Sequence, residues 1–180
     1  MSQIDDFAQS LLKESKRFLE KAQSEESGEG ASAYLHASLM LAFSSLEAHV
    51  NSISDDFVNR PEMTVHDKSI LVEREVRLDK GQFTLSNTLK MVRLEDRIQF
   101  LHAHFSGKPL QGQIEWWSRL SDATKLRNQL THPKEMVSIK PDTVERAIQA
   151  IIDTIDALYQ AIYKLPFPAA VRGVKSTLSF

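Results

Sequence analysis

The spacing of apolar residues along the chain predicts helices over most of its length. Residues 4–23 repeat apolar side chains at intervals of three and four positions, as an amphipathic helix does. Residues 31–57 are apolar on almost every side between Tyr34 and Val50, which suits a helix with neighbours all round it. The polar segment at residues 24–30, rich in Ser, Glu and Gly, predicts a loop between these two helices.

Three further helices are predicted in the middle of the chain. Thr64 is placed to cap a charged helix that ends near residue 78, with Gly81 as its stop signal. The next two helices are expected at residues 87–105 and 113–131, because Gly and Pro residues interrupt the pattern between them.

The clearest amphipathic pattern belongs to the last helix. Asp142 and Glu145 have the spacing of a capping box at its start. The apolar residues of one face follow: Val144, Ile148, Ile151, Ile152, Ile155, Leu158, Tyr159 and Ile162.

The pattern as a whole predicts an all-α fold, a helical bundle. Two short segments, residues 82–85 and 136–140, are ambiguous between strand and coil. We expect a single helical domain at residues 1–164. Residues 165–180 contain two prolines that cannot continue the last helix, and they form either a frayed tail or an arm that docks on a partner subunit.

Composition limits the classes of function. The 180 residues are 42% hydrophobic and contain no cysteine, so a core can form without disulfides, and thiol catalysis is excluded. The formal net charge of -2 gives no bulk attraction for nucleic acid, so RNA binding would need a local basic patch. The acidic start of the chain and the lack of a long uncharged apolar stretch predict a cytoplasmic protein with no membrane partner.

The candidate chemistry lies in residues 125–134, with the sequence KLRNQLTHPK, at the end of the predicted fifth helix. At about 100° per residue, Asn128 and His132 share one helix face, whereas Arg127 and His132 are about 140° apart. Pro133 places the imidazole at the C-terminus of the helix. If two copies face each other across a twofold axis, their Arg, Asn and His side chains can converge on one cleft.

This segment resembles a known family. The string Arg127-Asn128-x-x-x-His132 is similar to the Arg-x4–6-His signature of HEPN domains, and residues 39–50, with their Leu-Glu-Ala element, are similar to the early core helix of many HEPN proteins. The resemblance implies a four-helix core with additional helices. It also implies a dimeric, metal-independent endoribonuclease, often a toxin or a defence component.

The resemblance implies a role for each residue. His132 would be the general base or acid, Arg127 the donor to the phosphorane oxygens, and Asn128 an orienting or phosphate-contacting amide. The nucleophile is the 2′-OH of RNA, so neither a cofactor nor a metal is required. The implied partners are RNA, for which tRNA is one candidate, a second copy of the chain, and an antitoxin or regulatory protein. Lys134 stands where toxins paired with a nucleotidyltransferase commonly carry a modified Tyr, so control by that route is not expected here.

Two alternatives to catalysis stay open at this stage. The first is a HEPN-like helical module that binds RNA, a nucleotide or a partner protein without cutting. The second is a purely structural role, in which Arg127, His132 and Lys134 complement the C-terminus of the helix.

Four basic residues share one face of the predicted fourth helix: Lys90, Arg93, Arg97 and His104. They are candidate RNA-binding residues together with Lys134, because they could contact phosphates along a groove. The alternative is a solvated face, which the acidic neighbours favour.

Glu47 lies within the apolar run of the second helix. It either fixes the guanidinium of Arg127 or occupies an exposed strip of that helix. His102 and His104 are two residues apart, so they point in different directions and cannot chelate one ion. We therefore predict no metal site.

Overall fold

The computed structural model describes residues 3–25, 29–110 and 114–176. In these ranges the chain forms seven helices and one two-stranded antiparallel sheet. The elements are α1 (Gln3–Ser24), α2 (Glu29–Phe57), α3 (Val65–Val72), β1 (Arg74–Asp79), β2 (Gln82–Leu89), α4 (Leu94–Ser106), α5 (Glu115–Thr131), α6 (Pro141–Tyr163) and α7 (Pro168–Arg172). The prediction of a mostly helical protein is confirmed. No helix in the described part of the chain is long and apolar enough to cross a membrane.

The core lies between α2 and α6. Helix α6 packs against α1, α2, α4, α5 and α7, and its predicted apolar face is buried as far as Leu158, with Tyr159 and Ile162 half-buried. Helices α1 and α2 lie side by side, and buried serine hydroxyls join them: Ser15 Oγ donates to the Ser38 carbonyl at 2.8 Å, and Ser38 Oγ donates to the Ser15 carbonyl at 2.8 Å. Their small side chains let the two helices approach closely without leaving a buried hydroxyl unsatisfied.

The charged helix predicted to residue 78 is much shorter. Thr64 caps α3 as expected, and its hydroxyl accepts from the Asp67 amide at 3.1 Å while Asp67 accepts from the Thr64 amide at 2.9 Å. The helix ends at Glu73, which adopts a left-handed conformation with φ 53°. The chain then turns into β1.

A β-hairpin replaces the end of one predicted helix and the start of the next. Lys80 and Gly81, with φ of 50° and 84°, form the two-residue turn between β1 and β2. Positive φ at both positions is the pattern of a type I′ turn, which favours Gly. Gly81 is therefore a hairpin residue and no helix stop, and the small sheet is an addition to a fold that is consistent with the all-α prediction.

The later helices begin at different residues than predicted. Helix α4 starts at Leu94, because residue 87 belongs to β2. Helix α6 starts at Pro141, after Lys140 as its N-cap, and has no side-chain cap. The capping box predicted at Asp142 and Glu145 is therefore wrong. Residues 136–140 form no strand, and the predicted start of the fifth helix at residue 113 lies outside the described residues.

Residues 165–176 pack on their own chain. Phe167 is buried against α2 and α6, and its amide donates to Asp156 Oδ1 at 2.7 Å. Further along, the Val174 amide donates to Gln149 Oε1 at 3.3 Å, and Lys175 pairs with Glu145 at 3.3 Å. This part of the segment is therefore not a frayed tail, and an arm on a partner subunit stays a prediction. Residues 177–180 lie outside the described ranges.

Candidate functional site

The motif occupies the last two turns of α5, as the spacing predicts. His132 is the C-cap residue of α5, and its amide donates to the Asn128 carbonyl at 2.9 Å. The side chains of Asn128 and His132 are exposed and lie one turn apart on the same face. Arg127 is half-buried. The imidazole thus lies at the surface, while the guanidinium is held against the protein.

An aromatic ring supports the Arg127 guanidinium. Its Cζ lies 5.0 Å from the centroid of the Phe43 ring on α2, within the range of a cation–π contact. Its Nε is buried without a hydrogen-bond partner, and no carboxylate of the described residues forms an ion pair with it. The charge of Arg127 is therefore positioned by packing, and is open to an anionic ligand.

Two grooves meet at Asn128. The first, which we call the Arg127 groove, has a volume of about 390 Å³. Its lining includes Met40, Phe43, Glu47, Glu73, Met91, Arg93, Arg97, Arg127 and Asn128. The second, the His132 groove, has a volume of about 460 Å³. Its lining is Lys125, Asn128, Gln129, His132, Lys134, Glu135 and Val137.

The two grooves separate the two groups that would do the chemistry. Arg127 lines the first and His132 the second, while Asn128 lines both. This agrees with the wide angle that helical geometry predicts between Arg127 and His132. One copy of the chain does not bring the guanidinium and the imidazole into the same groove.

Glu47 does not hold Arg127. It is exposed on α2 and lines the Arg127 groove, and no ion pair joins it to Arg127. This placement agrees with the exposed-strip alternative.

Arg97 has a structural role, which corrects its prediction as an RNA-binding residue. Its side chain is 3% exposed, donates to the Leu71 carbonyl at 3.0 Å and to Ser54 Oγ at 3.2 Å, and pairs with Glu73 at 3.4 Å. Burial lowers the pKa of Arg97 from its ordinary value, and the Glu73 carboxylate opposes this shift. Arg97 ties α4 to α2 and to the end of α3, so it is not free to contact a phosphate.

The other residues of the predicted basic face do not share a helix. Lys90 and Arg93 precede α4, because the chain there leaves β2, and only His104 of these three lies on the helix. Arg93 lines the Arg127 groove, whereas His104 lines neither groove. Lys134 is exposed and lines the His132 groove. Arg93 therefore lies on one side of the motif and Lys134 on the other, and each shares its groove with carboxylates: Glu47, Glu73 and Glu95 in the first and Glu135 in the second.

Sequence reasoning missed Phe43. It lies far from the motif in sequence, and one aromatic among the apolar residues of α2 carries no signal that it will support an arginine on α5. Met91 is a second missed residue: it is exposed at the rim of the Arg127 groove, where the unpredicted hairpin places it.

A larger cavity of about 560 Å³ lies away from the motif, between α4, α5 and α6. His102, Trp116 and Arg119 line it, and Arg119 already pairs with Asp153 at 3.6 Å and with Glu115. Its cation is thus satisfied within the chain. Within the described ranges, no group of three or more His, Asp or Glu side chains is gathered to hold a metal ion.

Comparison with protein-family models, with curated proteins and with solved structures finds no match to this chain.

Proposed function

We propose that this protein is a metal-independent endoribonuclease of the HEPN type, which acts as a homodimer. The observation that carries the proposal is the placement of Arg127, whose guanidinium is held on Phe43 with no acidic partner in the described chain. Such a group can bind a phosphate oxygen without first giving up an ion pair. Asn128 and His132 lie on the exposed end of the same helix.

The chemistry needs only groups that RNA and these side chains supply. The 2′-oxygen attacks the adjacent phosphorus while His132 accepts its proton, and the bond from phosphorus to the 5′-oxygen breaks. An acid protonates that leaving oxygen, which yields a 2′,3′-cyclic phosphate and a 5′-hydroxyl end. Arg127 donates to the non-bridging oxygens as negative charge grows on them. DNA lacks the 2′-hydroxyl and is not cut by this route.

A second copy of the chain can bring together the two groups that lie in separate grooves of one copy. Across a twofold axis, His132 of one copy can face Arg127 of the other, so that each of two equivalent sites takes one group from each copy. Arg93 and Lys134, one in each groove, are the cations that would contact phosphates further along the RNA backbone. The HEPN resemblance adds the expectation of a toxin or defence role under the control of an antitoxin or regulatory protein.

The first test is cleavage in excess EDTA. Purified wild-type protein, His132→Ala and the control His66→Ala are incubated with total RNA and with tRNA, and the fragment ends are analysed. His66 is an exposed histidine on α3 that lines neither groove. We expect cyclic phosphate ends from wild type and His66→Ala only. Equal background from all three proteins would remove the enzyme proposal and leave a module that binds RNA, a nucleotide or a protein.

A mixing experiment tests the shared site. Arg127→Ala and His132→Ala are each expected to be inactive, and neither can be rescued by its own second copy. If each site takes Arg127 from one copy and His132 from the other, a mixed dimer contains one intact site. An equal mixture of the two variants should then recover about a quarter of the wild-type activity after subunit exchange. No recovery would overturn a site that takes Arg127 from one copy and His132 from the other.

A further inference from the structure

The β-hairpin is an exposed two-stranded sheet. Strands β1 and β2 pair only with each other among the described residues, so each has one open edge. A sheet of two strands is marginally stable in water unless something covers it. Here α3 packs against it, and Val76 and Leu85 are half-buried.

The tip of the hairpin leaves large apolar side chains in solvent. Leu78 and Phe83 are opposite each other in the register and are 66% and 61% exposed. Strand alternation places them on the same face as Val76 and Leu85. Exposed apolar groups next to an open strand edge are the features by which a sheet recruits a further strand.

The turn determines which backbone groups are open on β1. Asp79 and Gln82 close the two-residue turn and form a hydrogen-bonded pair, and bonded pairs alternate along the ladder. The amides and carbonyls of Val76 and Leu78 therefore point away from β2. The Arg74 carbonyl points to the same side but is already bonded to Ser69 Oγ at 2.5 Å, so the open part of this edge is Val76 and Leu78.

The charges on β1 are complementary to those of a second β1. Glu75 and Arg77 are exposed on either side of Val76. In an antiparallel pair centred on Val76, Glu75 of each copy lies opposite Arg77 of the other, and the Val76 groups that point outward bond across the axis. A pair centred on Arg77 would instead place two arginines opposite each other.

We propose that β1 is a self-association edge, on which a second copy of this chain adds its own β1 antiparallel to form a four-stranded sheet. The backbone bonds of the pair centre on Val76, and Leu78 is covered by the aliphatic stem of the partner's Arg74, whose carbonyl keeps its bond to Ser69. The twofold axis passes through Val76, far along the chain from the motif on α5. The inference uses only the hairpin and does not depend on the proposed ribonuclease function.

Charge reversal tests the register. In Glu75→Arg and in Arg77→Glu, two attractive pairs across the axis become two repulsive ones, whereas the double variant Glu75→Arg/Arg77→Glu restores both attractions. Sedimentation over a concentration series should show wild type and the double variant associating alike, and each single variant weakened by about tenfold or more. Both side chains are exposed, so thermal melting should show all four proteins folded. Equal association by all four, or a double variant as weak as the single ones, would overturn the proposal.

A single cysteine tests the axis itself. The chain contains no cysteine, so Val76→Cys carries one thiol. Opposed residues of a hydrogen-bonded antiparallel pair have Cα atoms about 5.5 Å apart, within the range of a disulfide. Mild oxidation should link Val76→Cys into a dimer, and should leave Asn87→Cys, an exposed control on β2, as monomer on a denaturing gel. If neither variant or both variants cross-link to the same extent, the proposed pairing is wrong. If Arg77→Glu reduces the amount of RNA that the protein retains but leaves the sedimentation mass of the protein unchanged, the hairpin binds RNA and not a second copy.

Discussion

A buried histidine should make this protein sensitive to mild acid. His49 on α2 is 1% exposed, and neither ring nitrogen has a hydrogen-bond partner in the described chain. Its ring meets the rings of Phe167 and Tyr159 edge-on, at 5.1 Å and 6.1 Å. Burial lowers the pKa of His49 to about 4, and the Asp5 carboxylate offsets only part of this effect.

The direction and size of the effect follow from the two protonation equilibria. The unfolded chain, with an ordinary histidine pKa of about 6.5, takes up the proton before the folded chain does. The part of the unfolding free energy that depends on neutral His49 is therefore present above pH 6.5 and is lost as the pH falls towards 4. With these two pKa values, His49 alone removes about 2 kcal/mol of unfolding free energy between pH 7 and pH 5, and about 3 kcal/mol by pH 4.

Urea unfolding at pH 7 and pH 5 measures this contribution when wild type is compared with His49→Leu. Both proteins lose the contributions of the same carboxylates, so the difference between their pH dependences isolates His49. We expect the leucine variant to lose about 2 kcal/mol less than wild type over this interval. At pH 7 it should be at least as stable, since two unsatisfied ring nitrogens are removed from the core. Parallel pH dependences for the two proteins would refute the reasoning.

Three further outcomes are expected. Glu73→Gln should lower the unfolding free energy by about 3 kcal/mol, because it leaves the buried Arg97 charge without its carboxylate; a loss under about 1 kcal/mol in urea titration would show that the hydrogen bonds suffice. Phe43→Leu should reduce RNA cleavage by about tenfold while the protein stays folded, because Arg127 loses the ring that positions it; unchanged single-turnover rates would exclude that role. Lys80→Asn should raise the melting temperature by about 2 °C, since Asn adopts positive φ more readily in a type I′ turn; a lower value in calorimetry would contradict the turn assignment.

Helical periodicity predicts the bounds of a helix well where its apolar stripe is long and buried. Helices α1, α2 and α6 lie within a few residues of their predicted bounds, because each buries a continuous face. The hairpin was missed for a physical reason. Both of its strands are largely exposed, so the alternation that marks a half-buried strand is lacking, and charged residues such as Glu75 and Arg77 favour a helical interpretation. Gly81 does mark the end of an element, but whether it ends a helix or forms a hairpin turn depends on the pairing of β1 with β2.

The sequence predicts how the motif residues are arranged on α5, but not which residues of other elements surround them. The angles between Arg127, Asn128 and His132 follow from the helix alone, and they agree with the two separate grooves. The support from Phe43 and the burial of Arg97 come from packing between elements distant in sequence. Neither leaves a periodic or spacing signal in a single chain.

The two arginines that line the Arg127 groove differ in their hydrogen-bond partners. Arg97 and Arg127 both line the Arg127 groove, and the Nε of each is buried without a partner, yet both terminal nitrogens of Arg97 are bonded, to Glu73, to Ser54 and to the Leu71 carbonyl. Moving it to a ligand would expose three broken contacts. Arg127 has no such partners in the described chain, and the face of Phe43 holds it without using its donors. The buried, partnered Arg97 stabilises the fold, and we propose that the supported, unpartnered Arg127 binds the phosphate.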